Sequence, residues 1–115
     1  MTITGVFRSA DEVRQLEAGT VVFSEGDEGH EMFGVVSGSV VLSKNGVDIA
    51  TIGPDGTFGE LALIDHAPRS LTATAVGATT IAVVNERTFL YLVHETPVFA
   101  LQVMRSLADR LRALS

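Results

Sequence analysis

Between Thr20 and Val84 the chain is written in short β-type runs, each cut off within a few residues by glycine or a polar turn: TVVFSE, EMFGVVSG, SVVLSK, VDIATIG, TATAV and TTIAVVN. Many short strands at close spacing predict a barrel, roll or sandwich. The firmest single signal is Asn45-Gly46, set between VVLSK and VDIATI. A type I′ hairpin needs positive φ at both central positions, and these two residues tolerate it best. Gly26, Gly29, Gly38, Gly53, Gly56 and Gly77 mark the remaining breaks.

Helical signals frame this region. SADEVRQL, ending at Leu16, is expected as a short helix over 8–16, with Ser9 as its cap and Asp11 and Glu12 at its positive end. After Val84, Asn85 or Glu86 opens ERTFLYLVH, with Phe89, Leu90 and Val93 on one side. Thr96-Pro97 is a good cap and first-turn pair for VFALQVMRSLADRLRALS. There Ala100, Met104, Leu107, Leu111 and Leu114 recur at alternating spacings of four and three. Such a stripe reads either as a face packed on the chain's own strands or as a pairing seam. Arg110 and Arg112 suit the negative end of the helix dipole. With 115 residues and no repeat or linker, the expectation is one domain over 1–115, strands over 20–85 and helices over 86–115.

Hydrophobic residues at 46% and charged residues at 19% fit a compact fold and not a disordered chain. The absence of cysteine removes disulfides, thiolate metal sites and cysteine nucleophiles. No apolar core of signal-peptide length and no run of membrane-spanning length is present, so a soluble, cytoplasmic protein is expected. His30, His66 and His94 have no paired spacing, EGDEGHE lacks a calcium-loop pattern, and no serine, histidine and acid group as a triad. Neither a metal site nor an enzyme is expected.

The net charge of −6, from 14 acids and 8 bases, argues against nucleic acid as the main partner. Between Arg14 and Arg87 only Lys44 and Arg69 are basic, against ten acids. Lys44 sits beside the hairpin turn, where a solvated lysine is ordinary. Arg69 lies in FGELALIDHAPRSLTA, Phe58 to Ala73. Gly59 to Ile64 places strong helix formers after a glycine, which predicts one or two turns whose first N–H groups lack internal partners. Pro68 stops the helix and delivers Arg69 to fold back over the same end. An arginine with free amides grips phosphate through charge-assisted bonds. Glu60 would repel that phosphate unless it faces a neighbouring hydroxyl, and phosphate beside hydroxyl describes a nucleotide ribose. On spacing alone, a structural ion pair between Glu60 and Arg69 is the simpler reading.

FGELAL, four intervening residues and PRS resemble the phosphate-binding cassette of cyclic nucleotide-binding domains, the family of the catabolite activator protein and the protein kinase A regulatory subunits. FSEGDEGHEMFGVVSGSV is similar to the first half of that family's roll, so the resemblance covers nearly the whole chain. It implies a mainly β fold with flanking helices: an eight-stranded antiparallel, jelly-roll-like β-roll with a cassette helix, one N-terminal helix and two C-terminal helices. It implies that Glu60 accepts the ribose 2′-hydroxyl and that Arg69 pairs with the cyclic phosphate. Gly59, Leu61 and Ala62 would supply backbone contacts, and Ser70 its hydroxyl or amide. The implied ligand is cyclic AMP or cyclic GMP, with no further cofactor. Leu71 departs from the small residue often found there. The chain also ends where the catabolite-activator branch continues into a helix-turn-helix, which gives the expectation of a sensor without a DNA-binding half. Its C-terminal helices would then change on ligand binding. The alternative is a ligand-free roll used for interaction with a protein partner or for homodimerisation.

Overall fold

The computed structural model describes residues 10–113. Its strands are β1 (Glu12–Leu16), β2 (Val21–Phe23), β3 (Glu31–Ser37), β4 (Val40–Lys44), β5 (Val47–Ile52), β6 (Thr57–Phe58), β7 (Thr72–Ala75) and β8 (Thr79–Asn85). Its helices are α1 (Leu61–Ile64), α2 (Glu86–Glu95) and α3 (Pro97–Ala113). Asn45 at φ 52° and Gly46 at φ 79° form the expected turn, closing β4 on β5 with Lys44 opposite Val47.

The strands form two antiparallel sheets, ordered β1-β8-β3-β6 and β2-β7-β4-β5. Strand side chains alternate between faces. Phe33, Val35, Ile81 and Val83 point inward to meet Val40, Leu42, Ala73 and Phe58 between the sheets. Their neighbours Met32, Ala82 and Val84 point outward, against Leu63 of α1, Phe89 and Leu92 of α2, and Phe99 and Val103 of α3. Because β8 is covered on both faces, it is apolar without alternation through Ile81-Ala82-Val83-Val84. Phe99 has no exposed surface and pins α3 to this layer. Truncating so large a buried ring costs about 3–5 kcal/mol.

Three expectations are corrected. The helix foreseen over 8–16 is strand β1 at Glu12–Leu16, paired with β8 from Glu12↔Val83 to Leu16↔Thr79; residues 8 and 9 lie outside the described residues. The side chains show why the strand wins. Arg14 bonds Glu12 at 2.9 Å and 3.0 Å. Residues two apart share a face in a strand but not in a helix. Leu16 meanwhile packs on the inner core, and sheet pairing overrides the local helical signal. The second correction is in α2, which buries Phe89 and Leu92 while Leu90 and Val93 face out. In α3 the inner face is Phe99, Val103 and the half-buried Leu107. Of the expected stripe, Met104 and Leu111 are exposed, Ala100 is half-buried, and Leu114 lies outside the described residues.

Candidate functional site

The cassette begins at β6 and turns sharply at Gly59, whose φ is 80°. A Cβ there would sit 2.9 Å from Arg69 Nη1 and 3.2–3.3 Å from the Phe33 and Phe23 rings, so only glycine fits. Helix α1 is a single turn. The Leu63 and Ile64 amides donate to Glu60 O at 2.9 and 3.0 Å, and Asp65 N donates to Leu61 O at 2.9 Å. The Leu61 and Ala62 amides precede this ladder, as the first donors of any helix do. His66, in the left-handed region at φ 54°, and then Pro68 end the turn.

Arg69 then returns over the cassette and is 7% exposed. Its backbone is clasped by the β2–β3 loop: Arg69 N donates to Asp27 O and Gly26 N donates to Arg69 O, both at 2.8 Å. Its Nη1 donates to Gly59 O at 2.8 Å and its Nη2 to Glu31 O at 2.9 Å. The guanidinium carbon lies 4.2 Å from the Phe23 ring centroid and 5.6 Å from that of Phe33. Burial draws the Arg69 pKa below its ordinary value, opposed by the nearby carboxylates of Glu31, Asp27 and Glu60.

Glu60 has no exposed surface. The expected alternative of a Glu60–Arg69 ion pair is not what forms: Arg110 of α3 donates from Nη2 to Glu60 Oε1. The same helix face makes three further polar contacts, one of them from Arg110 Nη2 to Thr57 O at 3.5 Å. Ser106 Oγ accepts from Thr57 N at 3.3 Å, and Arg110 Nε reaches Ser106 O at 3.4 Å. Burial pushes the Glu60 carboxyl above its ordinary value, with Arg110 the chief opposing influence. Sequence reasoning assigned Arg110 to the helix dipole and missed this role. The available signal was its spacing, seven residues after Val103 and four after Ser106, which places it on the inner face of α3. Arg112, by contrast, pairs with exposed Asp109 on the outside.

Gly59, Leu61, Ala62, Arg69 and Ser70 line one cleft together with Arg110, and Glu60 meets that cleft through Arg110. The cleft is shallow and open to solvent. Phe23, Leu42 and Leu71 give it apolar walls, and Leu71 also packs on the inner core. Ser70 is exposed at its edge. Three buried side-chain atoms among the described residues lack a partner: Thr57 Oγ1, Glu60 Oε2 and Arg69 Nε. Buried polar atoms are nearly always satisfied, and these three orphans all lie at the cassette. A buried cation, a carboxylate with one free oxygen, unladdered amides and an apolar wall suit an anion, a hydroxyl and a flat apolar group held close together. Among the described residues no group of three or more acids and histidines is arranged to hold a metal ion.

A family model for the cyclic nucleotide-binding domain matches residues 13–96. The chain is 33% identical over 99 residues to the cyclic AMP receptor protein of Thermus thermophilus, covering 82% of this chain and 46% of that protein. It is 40% identical over 70 residues to the cAMP-dependent protein kinase regulatory subunit of Yarrowia lipolytica, covering 61% of this chain and 18% of that one. The crystal structure of the Thermus thermophilus catabolite activator protein superposes with a TM-score of 0.77 at 32% identity, over 94% of this chain and 53% of that one. The chain thus spans less than half the length of these two curated relatives. Its sheets, cassette and helices, with the match from Val13 to Thr96, make it a member of the cyclic nucleotide-binding domain family.

Proposed function

We propose that this chain is a regulatory module that binds a 3′,5′-cyclic nucleotide in the cassette cleft and answers by moving α3. The carrying observation is that Arg69, Leu61 and Ala62 line one cleft beside Arg110, which covers the buried Glu60, with orphaned atoms on the Arg69 and Glu60 side chains. In this reading the cyclic phosphate takes the unused Arg69 N–H groups, the two amides and Ser70. The ribose 2′-hydroxyl donates to Glu60. A hydroxyl reaches a carboxylate with no exposed surface only if what covers it shifts, and Arg110 is part of that cover. Ligand therefore biases the position of α3 by its affinity difference between the two arrangements.

The named ligands of the two curated relatives support cyclic AMP as the first candidate, with cyclic GMP the alternative because Ser70 suits either. The role is recognition and signalling, not catalysis, and the proposed setting is the cytoplasm. No helix among the described residues is long and apolar enough to cross a membrane. Duplex DNA is not among the ligands this reading gives a chain of net charge −6.

A second role for α3 is favoured by its outer face. Leu101, Met104 and Leu111 are exposed, and with Ala108 they repeat at spacings of three, four and three, the pattern of a pairing seam. A second copy of the chain fits that seam, and sedimentation of Met104→Lys beside the parent distinguishes a monomer from a dimer. The primary reading is tested by isothermal titration with cyclic AMP and with cyclic GMP. Binding at micromolar strength, about −8 kcal/mol, or tighter is expected. No heat with either nucleotide at millimolar concentration overturns it.

A further inference from the structure

A long arginine side chain grips an anion well only if something stops it from swinging away. Around Arg69 three kinds of contact do this. Below it, Phe23 of β2, Phe33 of β3 and Phe58 of β6 form a ring cluster with centroids 5.2–6.0 Å apart. The guanidinium lies over Phe23 at 4.2 Å, within the range where a ring's negative face attracts a cation. Beside it, Gly29 closes the β2–β3 loop. A Cβ at Gly29 would fall 2.2–2.5 Å from Arg69 Nε, Cζ and Nη2, so the loop backbone walls in the group with nothing to spare. Along its edge, the carbonyls of Gly59 and Glu31 take one bond from each Nη. These carbonyls are neutral. Glu31, Asp27 and Glu60 act on Arg69 through space, so no bonded carboxylate cancels its charge.

Among these contacts Phe23 is the one whose chemistry is not imposed by the fold. A leucine or methionine would fill the same half-buried place at the end of β2. Neither would offer a ring face to a cation. We propose that Phe23 is a positioning residue for anion binding: its ring holds the Arg69 guanidinium flat against the roll while Gly29 closes the other side, so that the charge faces the cassette cleft. This rests on the cyclic-nucleotide reading and adds to it a determinant of affinity outside the cassette segment.

The test compares Phe23→Leu, Phe23→Met and Phe23→Tyr with the parent, using cyclic AMP titration and the Arg69 Nε–H resonance in a nitrogen–proton correlation spectrum. Melting curves verify folding, and the two aliphatic variants guard against one of them failing to fold. The parent resonance should be shifted upfield by the ring beneath it. The Leu and Met variants should lose that shift and bind about 3- to 30-fold more weakly, while Tyr keeps the shift and binds within about twofold of the parent. A folded Leu or Met variant that binds like the parent overturns the inference. Weaker binding with an unchanged Arg69 resonance also overturns it, since Phe23 would then act on the ligand directly. The parent's titration separates the two claims. A parent that binds no cyclic nucleotide removes the functional reading and this inference together, whereas a binding parent indifferent to Phe23 removes this inference alone.

Discussion

Arg69 and Arg110 line the same cleft from two regions of the molecule, the roll and the last helix. Arg69 is bonded to main-chain carbonyls of Gly59 and Glu31, and its own backbone is tied to Gly26 and Asp27. Glu31 belongs to β3, which pairs with both β8 and β6. Displacing Arg69 therefore means disturbing the sheet. Arg110 is held by its ion pair with Glu60 and by two long bonds, from Nε to Ser106 O at 3.4 Å and from Nη2 to Thr57 O at 3.5 Å, and its helical neighbour Ser106 accepts one bond from Thr57 N. Phe99 and Val103 anchor the first half of α3 in the core, while Met104 and Leu111 face outward. Few buried apolar contacts and breakable polar ties are the marks of a segment that opens locally. The difference underlies the proposed division of labour, in which the roll presents a fixed cation and α3 a removable cover.

The largest effect should follow from removing the fixed cation. Arg69→Ala leaves the phosphate without its charged partner in a partly dry site, which costs about 2–5 kcal/mol, or roughly 30- to several-thousand-fold in affinity. Titration should show that loss while circular dichroism keeps its β signature. Parent-like affinity would remove Arg69 from the role of clamp and collapse the comparison. Glu60→Gln should cost less, about 10- to 100-fold, because it weakens one hydrogen bond to a charged acceptor. Equal losses for the two variants would show that their roles are assigned wrongly.

Arg110→Met should act mainly on stability, and its effect should depend on pH. The folded-state pKa of Glu60 already lies above the ordinary 4.5 because of burial, and Arg110 is what restrains the rise. A carboxyl raised on folding favours the folded state most fully below its unfolded value, and that contribution is lost as pH rises through the folded value. Without Arg110 the folded value climbs further, so the loss extends over a wider range. The melting temperature of Arg110→Met should thus fall further below the parent at pH 7 than at pH 5. A deficit independent of pH would mean that Arg110 holds α3 by packing alone and that its pairing with Glu60 contributes nothing.

The roll was far more legible in the sequence than the last helix. Asn45-Gly46, the glycine breaks and the β-branched runs announced the roll because turn chemistry and strand periodicity are local. That Gly59, Leu61, Ala62, Arg69 and Ser70 share one cleft was equally readable, since they lie close in sequence, while Glu60 is buried beneath Arg110. Strand β1 was misread because Ser9, Asp11 and Glu12 form a local helix-start signal, while its pairing with β8 is a contact between distant parts of the chain. In α3 the apolar residues occur on several sides, so periodicity alone chose a face about one residue away from Phe99 and Val103. Arg110 and Phe23 were missed for the same reason as β1. Their partners, Glu60 and Arg69, are separated from them by some fifty residues of chain in each case, and only the closed roll brings them together.

Hydrogen exchange measured with and without saturating cyclic AMP tests the division between fixed clamp and removable cover most directly. The account predicts slower exchange over residues 58–73, where phosphate and ribose would bind. It also predicts a change over residues 104–113 that tracks occupancy, with the β3–β8 pairing unaltered. Protection of the cassette with α3 unchanged at full occupancy would contradict the cover, and a cassette indifferent to the nucleotide would contradict the site itself.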